Sequence, residues 1–219
     1  NIKGGVGKTA TAVNLAWLAA HEGAPSLVWD LDPQGAASYY FRIKPKIKGG
    51  GKRLVQGKRD LEKFIRGTDF DLLDLLPADF SYRNMDIFLE GTKKPSHQLY
   101  KLLKQFRNEY EYVFLDCPPS ISLVSENIFD ATTAILVPTI PTILSLRTYK
   151  QIQQFFKKHD LDTTKILPFF CMTDRRKKMH RSMVETPPDF LTNLMPTSIP
   201  YDSKVEQMGI HRAPLVEFA

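Results

Sequence analysis

The sequence is poor in several things, and each shortage excludes something. Its two cysteines, Cys117 and Cys171, stand 54 positions apart with no C-x-x-C pairing. That excludes a disulfide scaffold or a zinc knuckle and suits a reducing, intracellular compartment. The histidines (His21, His97, His159, His180 and His211) are scattered, mostly among polar neighbours, at no spacing that favours catalysis. The most apolar helical stretch near the start, residues 12–20, is short and carries Asn14, so neither a membrane span nor a secretory signal is expected. Acids are scarce in two places: residues 42–66 hold ten Lys/Arg against two acids, and residues 174–181 hold five against one. These segments carry +8 and +4 of a net charge of +6, leaving −6 for the rest. Charge gathered in this way suits contact with a polyanion, although solvated basic loops have the same composition. With 42% hydrophobic and 25% charged residues over 219 positions, the chain is expected to form one large soluble domain.

The segments alternate. A helix pattern over 8–22 is stopped by Gly23, and an apolar strand over 26–30 ends at the turn signal Pro33-Gln34-Gly35. Residues 44–57, with four glycines and a proline among cations, suggest an exposed loop. A strand is expected over 70–76, with a polar turn at 77–79. Pro95 then opens a helix in which Leu99, Leu102, Leu103 and Phe106 recur at three and four. Residues 112–116 form an apolar strand ending in an acid, and 134–137 a further buried strand. Leu146, Tyr149, Ile152 and Phe156 mark an amphipathic helix, followed by strands over 165–172 and 197–200. Strands without alternation, each followed by a helix, predict an α/β, doubly wound, mostly parallel sheet with helices on both faces. A phosphate loop needs a strand before it, and this one begins two residues after Asn1. The expectation is a single domain over 1–219 that lacks its first strand and its C-terminal helix.

Residues 3–9, KGGVGKT, carry the strongest chemical signal. A phosphate tail needs a curl of backbone N–H donors, and glycines let the chain approach that closely. Lys8 would reach the β- and γ-phosphates, the Thr9 hydroxyl would ligate Mg²⁺, and the helix starting here would aim its positive end at the phosphates. The ordinary pattern GxxxxGK[ST] fails, because its first glycine falls on Ile2; a second lysine, Lys3, precedes the paired glycines instead. Asp30 and Asp32, in DLDPQG, lie at a strand end, where ligands of open α/β sheets bind. Alternation points both carboxylates to the same side, one for the metal shell and one to orient water. Taken alone, DLDPQG is more often simply a turn. Asp116, closing the strand 112–116, is the third acid; a carboxylate there needs a partner, and hydrated Mg²⁺ would serve. Cys117 beside it suits small core packing.

These blocks resemble the ParA/MinD family of deviant Walker (P-loop) ATPases, ParA branch, collinearly over nearly the whole chain. KGGVGKT (3–9), DLDPQG (30–35), LLPAD (75–79), FLDCPPS (114–120), TDRRKKMH (173–180) and IPYDSKVEQMGIHRAPLVEF (199–218) carry the likeness. The resemblance implies an ATP-dependent homodimer in which Lys3 of each subunit reaches the other's nucleotide, Asp32 positions water, and Thr9 holds Mg²⁺ directly. Asp30 and Asp116 would act on the metal through its waters. It implies nucleotide contacts from Gly4, Gly5, Val6, Gly7, Lys8, Thr9 and Ala10, with Arg176 and Pro200 toward the adenine. It further implies slow hydrolysis stimulated by a partner or adaptor protein, non-specific DNA binding, and a cytoplasmic, nucleoid-associated cycle that partitions or positions DNA or another large cargo, with no membrane contact in this region. Here the helix after TDRRKKMH is interrupted by Pro187-Pro188 and has no cation before Lys204, so DNA contact shifts to Arg175, Arg176, Lys177, Lys178 and Arg181, to residues 42–66, or to the missing C-terminal helix. Trp29 stands where the family more often has a small aliphatic residue. A MinD-like membrane-associated ATPase, or a metabolic enzyme on the same fold, stands as the alternative.

Overall fold

The structure, a computed structural model, describes residues 4–56 and 61–219. Two compact units make up the chain: Thr9–Ala131 with Lys204–Ala219, and Asn1–Lys8 with Thr132–Ser203. The boundary falls after the first residue of helix α1 (Lys8–His21).

In the larger unit, α1 buries Val13, Ala16, Trp17 and Ala20, which recur at helical spacing along one face. It ends where expected, with Ala24 N–H reaching back to the Ala19 carbonyl. Strand β1 (Ser26–Asp30) follows and is buried at every position. It lies between β3 (Leu73–Leu76) and β4 (Tyr112–Asp116), parallel to both, while the short edge strand β2 (Arg66–Gly67) pairs antiparallel with β3. Both faces of β1 are covered, which is why its apolar residues run without alternation. Leu27 and Trp29 enter one core with Leu54, Tyr82, Met85, Leu99 and Ile128. Val28 enters the other, with Val13, Trp17, Phe41, Leu75 and Met208. Helices α4 (Met85–Glu90), α5 (Gln98–Leu103) and α6 (Leu123–Ala131) supply the first core. Helices α1, α2 (Ala36–Tyr40) and α9 (Ser203–His211) supply the second. Trp29 thus has a role that its sequence position did not disclose: it is the bulkiest fully buried side chain and fills the first core.

Three local expectations are corrected. Residues 50–56 form helix α3 (Gly50–Gln56), not part of a loop. Leu54 and Val55 are buried while Lys52 and Arg53 face solvent. The Asp79 carboxylate accepts the Ile47 N–H at 2.8 Å and the Ser81 hydroxyl accepts the Gly51 N–H at 2.8 Å, anchoring the segment. The strand expected from residue 70 begins at Leu73, because Leu72 adopts φ 58° in the turn from β2. The strand expected over 197–200 reduces to a single bridge between Thr173 and Pro200.

The smaller unit pairs β5 (Ile135–Thr139) in parallel with β6 (Ile166–Phe170). Helix α7 (Ile143–Lys158), capped by the Thr142 hydroxyl, buries Leu146, Tyr149, Ile152 and Phe156 as their spacing implies. Helix α8 (Lys178–Glu185) stops just before Pro187-Pro188.

Asn127 on α6 ties four groups together. Its side-chain oxygen accepts the N–H groups of Gln98 and Leu99, and its amide donates to the carbonyls of Pro95 and Leu123. It is fully buried. Asn127→Ala strands two N–H donors at the start of α5 and should cost roughly 2–4 kcal/mol, read by chemical denaturation.

Candidate functional site

The glycine loop belongs to the smaller unit. Lys3 lies outside the described residues. Gly5 and Gly7 sit at φ 68° and 86°, a conformation that side chains rarely tolerate, and this curls the loop before α1. A Cβ on Gly4 or Gly5 would meet nothing within 4 Å, and one on Gly7 only the Met172 methyl at 3.9 Å. The loop therefore leaves its outer side open to a ligand that approaches the backbone closely. Its inner side is fixed: Val6 is fully buried, and its carbonyl accepts the Cys171 thiol at 3.3 Å. Burial pushes that thiol up to about 12, which keeps it a protonated donor. Lys8 and Thr9, half-buried, open α1, where backbone N–H groups have no partner within the helix. Ala10 is half-buried in the same turn.

The acids belong to the larger unit. Asp30 and Asp116 are register partners at the C-terminal ends of β1 and β4, and both are buried, at 0% and 1% exposure. Two like charges side by side out of water are unfavourable without a cation or a proton. Asp30 accepts the Ser38 N–H and hydroxyl at 2.8 Å each, and the Asp32 N–H at 3.3 Å. Burial nevertheless outweighs these bonds and raises its carboxyl to about 6. The Ser38 hydroxyl in turn accepts the Ala78 N–H at 3.0 Å, so a single polar thread joins β1, α2 and the chain leaving β3. Asp32 is half-buried at the head of its turn, and its carboxylate accepts the Gln34 N–H at 2.9 Å. Gly35, at φ 68°, lets the chain turn into α2; a Cβ there would stand 2.9 Å from Pro45. Among the described residues no group of three or more His, Cys, Asp or Glu is arranged to hold a metal. Thr9, Asp30 and Asp116 are hard oxygen donors, few in number, which fits Mg²⁺ that keeps most of its shell for water and phosphate.

Two residues of this region escaped the sequence reading. Ser38 and Tyr40, both on α2, bear on the acids: Ser38 through its hydrogen bonds, Tyr40 through charge. Burial first, and then the Asp116 carboxylate, push the Tyr40 phenol above its ordinary value. No spacing rule links either residue to the strand ends.

A cavity of about 400 Å³ in the smaller unit is lined by Thr173, Asp174, Arg175, Arg176, Ser198, Pro200 and Tyr201. It brings together Arg176 and Pro200, the two residues the resemblance assigns to adenine. The Arg176 guanidinium bonds both oxygens of Asp174 at 3.0 and 3.1 Å, and those bonds hold the Asp174 carboxyl down at about 2. Arg175, Arg176, Lys177, Lys178 and Arg181 are all exposed. His180, expected in a polar, exposed setting, is instead buried at 4% exposure. Cys117 is half-buried, with its thiol donating to the Leu115 carbonyl. No helix among the described residues is long and apolar enough to cross a membrane.

The model of the AAA_31 family, an AAA domain, matches residues 1–168. The sporulation initiation inhibitor protein Soj of Bacillus subtilis (strain 168) is 27% identical over 99% of this chain and 88% of its own length. The chromosome-partitioning ATPase Soj of Treponema pallidum is 26% identical over 100% and 87%. In fold, the chain resembles the cobyrinic acid a,c-diamide synthase of Mycobacterium smegmatis solved with an ATP analogue and magnesium. The TM-score is 0.82 at 21% identity, covering 100% of this chain and 89% of that one. With a glycine loop, buried acids at strand ends and a family model that spans most of its length, the chain belongs to the AAA_31 family of AAA domains and, with its Soj relatives, to the ParA/MinD P-loop ATPases.

Proposed function

We propose that this chain is an ATP-dependent dimerising ATPase switch that positions DNA or another large cargo. The observation that carries the reading is the pair of buried carboxylates, Asp30 and Asp116, in register at the ends of neighbouring parallel strands. Two carboxylates so placed suit a hydrated cation, and the sequence also supplies a glycine loop for the phosphates the cation would accompany. ATP and Mg²⁺ are the ligands proposed, with both units acting as one ATPase domain.

In this reading the N–H groups of Gly4, Gly5, Val6, Gly7 and Lys8 hold the phosphate tail, and the Lys8 ammonium offsets its charge. Thr9 offers its hydroxyl to the metal, and Asp30 and Asp116 act on the metal's waters. Bound Mg²⁺ neutralises charge that develops on the transferring phosphoryl group. Asp32, half-buried and holding the Gln34 N–H with its carboxylate, orients the attacking water. Lys3 extends to the partner subunit's nucleotide, so that hydrolysis requires the dimer. Arg175, Lys177 and Lys178, all exposed, contribute the DNA-facing charge; Arg176 contributes less, because Asp174 already matches it. A chromosome-partitioning relative supports a DNA cargo, and the proposed cycle is cytoplasmic, nucleoid-associated and driven by a stimulating partner protein.

Asp32→Ala should retain ATP binding, lower hydrolysis by about 100-fold or more, and accumulate dimer on size exclusion with ATP and Mg²⁺. Normal turnover in this variant would remove Asp32 from the mechanism. Retention on duplex DNA should require ATP. Three cations from each subunit give an expected slope of about −5 for log affinity against log salt. ATP-independent or salt-insensitive retention would contradict the DNA reading. Asp30 supplies a pH test. Its folded-state value, about 6, lies above its ordinary 3.8. Its contribution to stability is therefore fully present below the ordinary value and is lost as pH rises through 6. In metal-free protein at neutral pH the charged form then costs up to about 3 kcal/mol. Asp30→Asn, neutral and still able to accept from Ser38, should stabilise the metal-free protein by roughly 1–3 kcal/mol at pH 7.5 and little at pH 4, measured by denaturant titration.

A further inference from the structure

The wall of the 400 Å³ cavity is held in place from α8 by two straps of equal reach. The Asp174 N–H donates to His180 Nδ1 at 3.1 Å, and the Arg175 carbonyl accepts from the Arg181 guanidinium at 2.9 Å. Each bond spans six residues, so two consecutive helix residues fasten two consecutive wall residues. Beneath them the wall is joined to the opposite lining: Thr173 N–H donates to the Ile199 carbonyl, and Tyr201 N–H to the Thr173 carbonyl. A turn closes the segment, with Lys177 N–H on the Asp174 carbonyl. The chain enters this wall through Met172 at φ 52°, a conformation that is unfavourable for a non-glycine residue and persists only when neighbours enforce it.

We infer that His180 and Arg181 are positioning residues that hold the Thr173–Arg176 wall in the form that receives the base end of the nucleotide. The inference rests on the proposed nucleotide reading of this cavity. His180 is a conditional strap. To accept from Asp174 its Nδ1 must be unprotonated, with the ring proton on Nε2. Protonation converts Nδ1 into a donor facing another donor, and the strap opens. Asp174 and Lys177 are the charged groups that bear on the ring. Burial, and then the Lys177 ammonium, hold its value below the ordinary 6.5 against an opposing pull from Asp174. A lowered value means that the neutral ring is favoured on folding. The strap is then fully made above about 6.5 and is lost as pH falls through the lower folded value. Arg181 stays charged across this range and is an unconditional strap.

The test uses the full chain with His180→Ala, His180→Asn and Arg181→Ala. Asn places an oxygen near the Nδ1 position and does not titrate. Two quantities are followed from about pH 7.5 downward until the lowered His180 value has been passed: hydrogen exchange at the Asp174 amide, and affinity for N-methylanthraniloyl-ATP. In wild type, Asp174 protection and affinity should fall together on acidification, affinity by about tenfold, the scale of one hydrogen bond. His180→Ala should be unprotected and about tenfold weaker at pH 7.5. His180→Asn should restore both and lose the extra pH dependence. That comparison separates the strap from the Asp30 carboxyl, which titrates in the same pH range. Arg181→Ala should weaken affinity without changing the shape of the pH profile. Retained Asp174 protection in His180→Ala, or a wild-type pH loss in His180→Asn, would overturn the inference. If exchange follows the expected pattern while no form binds the analogue, the strap stands and the nucleotide reading of the cavity falls.

Discussion

Two carboxylates buried side by side set the terms for the larger unit. Asp30 and Asp116 end neighbouring parallel strands in register, and both are out of reach of water. Sheet geometry puts them there: β1 and β4 pair over five residues, so any residue ending one strand is set beside the residue ending the other. A fold selected only for stability would place apolar residues at both positions, because buried like charges oppose folding. The protein instead surrounds Asp30 with three donors and still leaves it a weaker acid than an ordinary carboxyl. That residual cost ties the charge at Asp30 to local order in α2. Ser38 caps Asp30 and also receives Ala78, so a change in charge at Asp30 is felt at the end of β3.

The glycine loop solves the complementary problem of presenting donors without filling the space in front of them. Its inner side is buried through Val6 and tied through Cys171, while Gly4 and Gly5 leave the outer side bare. An alanine at Gly5 would meet no neighbour, so the demand for glycine there is conformational and not a matter of room within the chain. The space beyond it is what a phosphate would use.

How much of this was legible beforehand follows from physical periodicity. Strands β1 and β4 were readable to the residue: β1, covered on both faces, runs without alternation, and each strand is an apolar run that ends abruptly in an acid. Helix α7 was readable from four core residues at helical spacing. Helix α3 was not. Its glycines lower intrinsic helix propensity, and what overrides them, the burial of Leu54 and Val55 and the acceptors on Asp79 and Ser81, comes from residues about thirty positions away. The glycine loop and the strand-end acids stood out in the sequence because the chemistry expected of them dictates type and spacing. Ser38, Tyr40 and His180 could not, because each acts through a tertiary contact that leaves no period. His180 is instructive: in a run of cations it looked like one more polar surface residue, yet the helix turns it inward while its neighbours face water.

That inward turn gives the 173–181 block two faces. Its backbone, Arg175 and the Asp174–Arg176 pair form a cavity wall, and Lys177 and Lys178, outside that lining, are exposed on the same few residues. A segment this short cannot rearrange one face without moving the other, since consecutive Cα atoms stay 3.8 Å apart and the straps from His180 and Arg181 fix the register of the turn. Under the proposed reading, whatever orders the wall also orders the cations, and ordered cations meet a polyanion at a lower entropic cost than mobile ones. A ligand in the cavity and a polyanion on the surface would then favour the same conformation of the block. Linkage requires that each strengthen the binding of the other by the same factor.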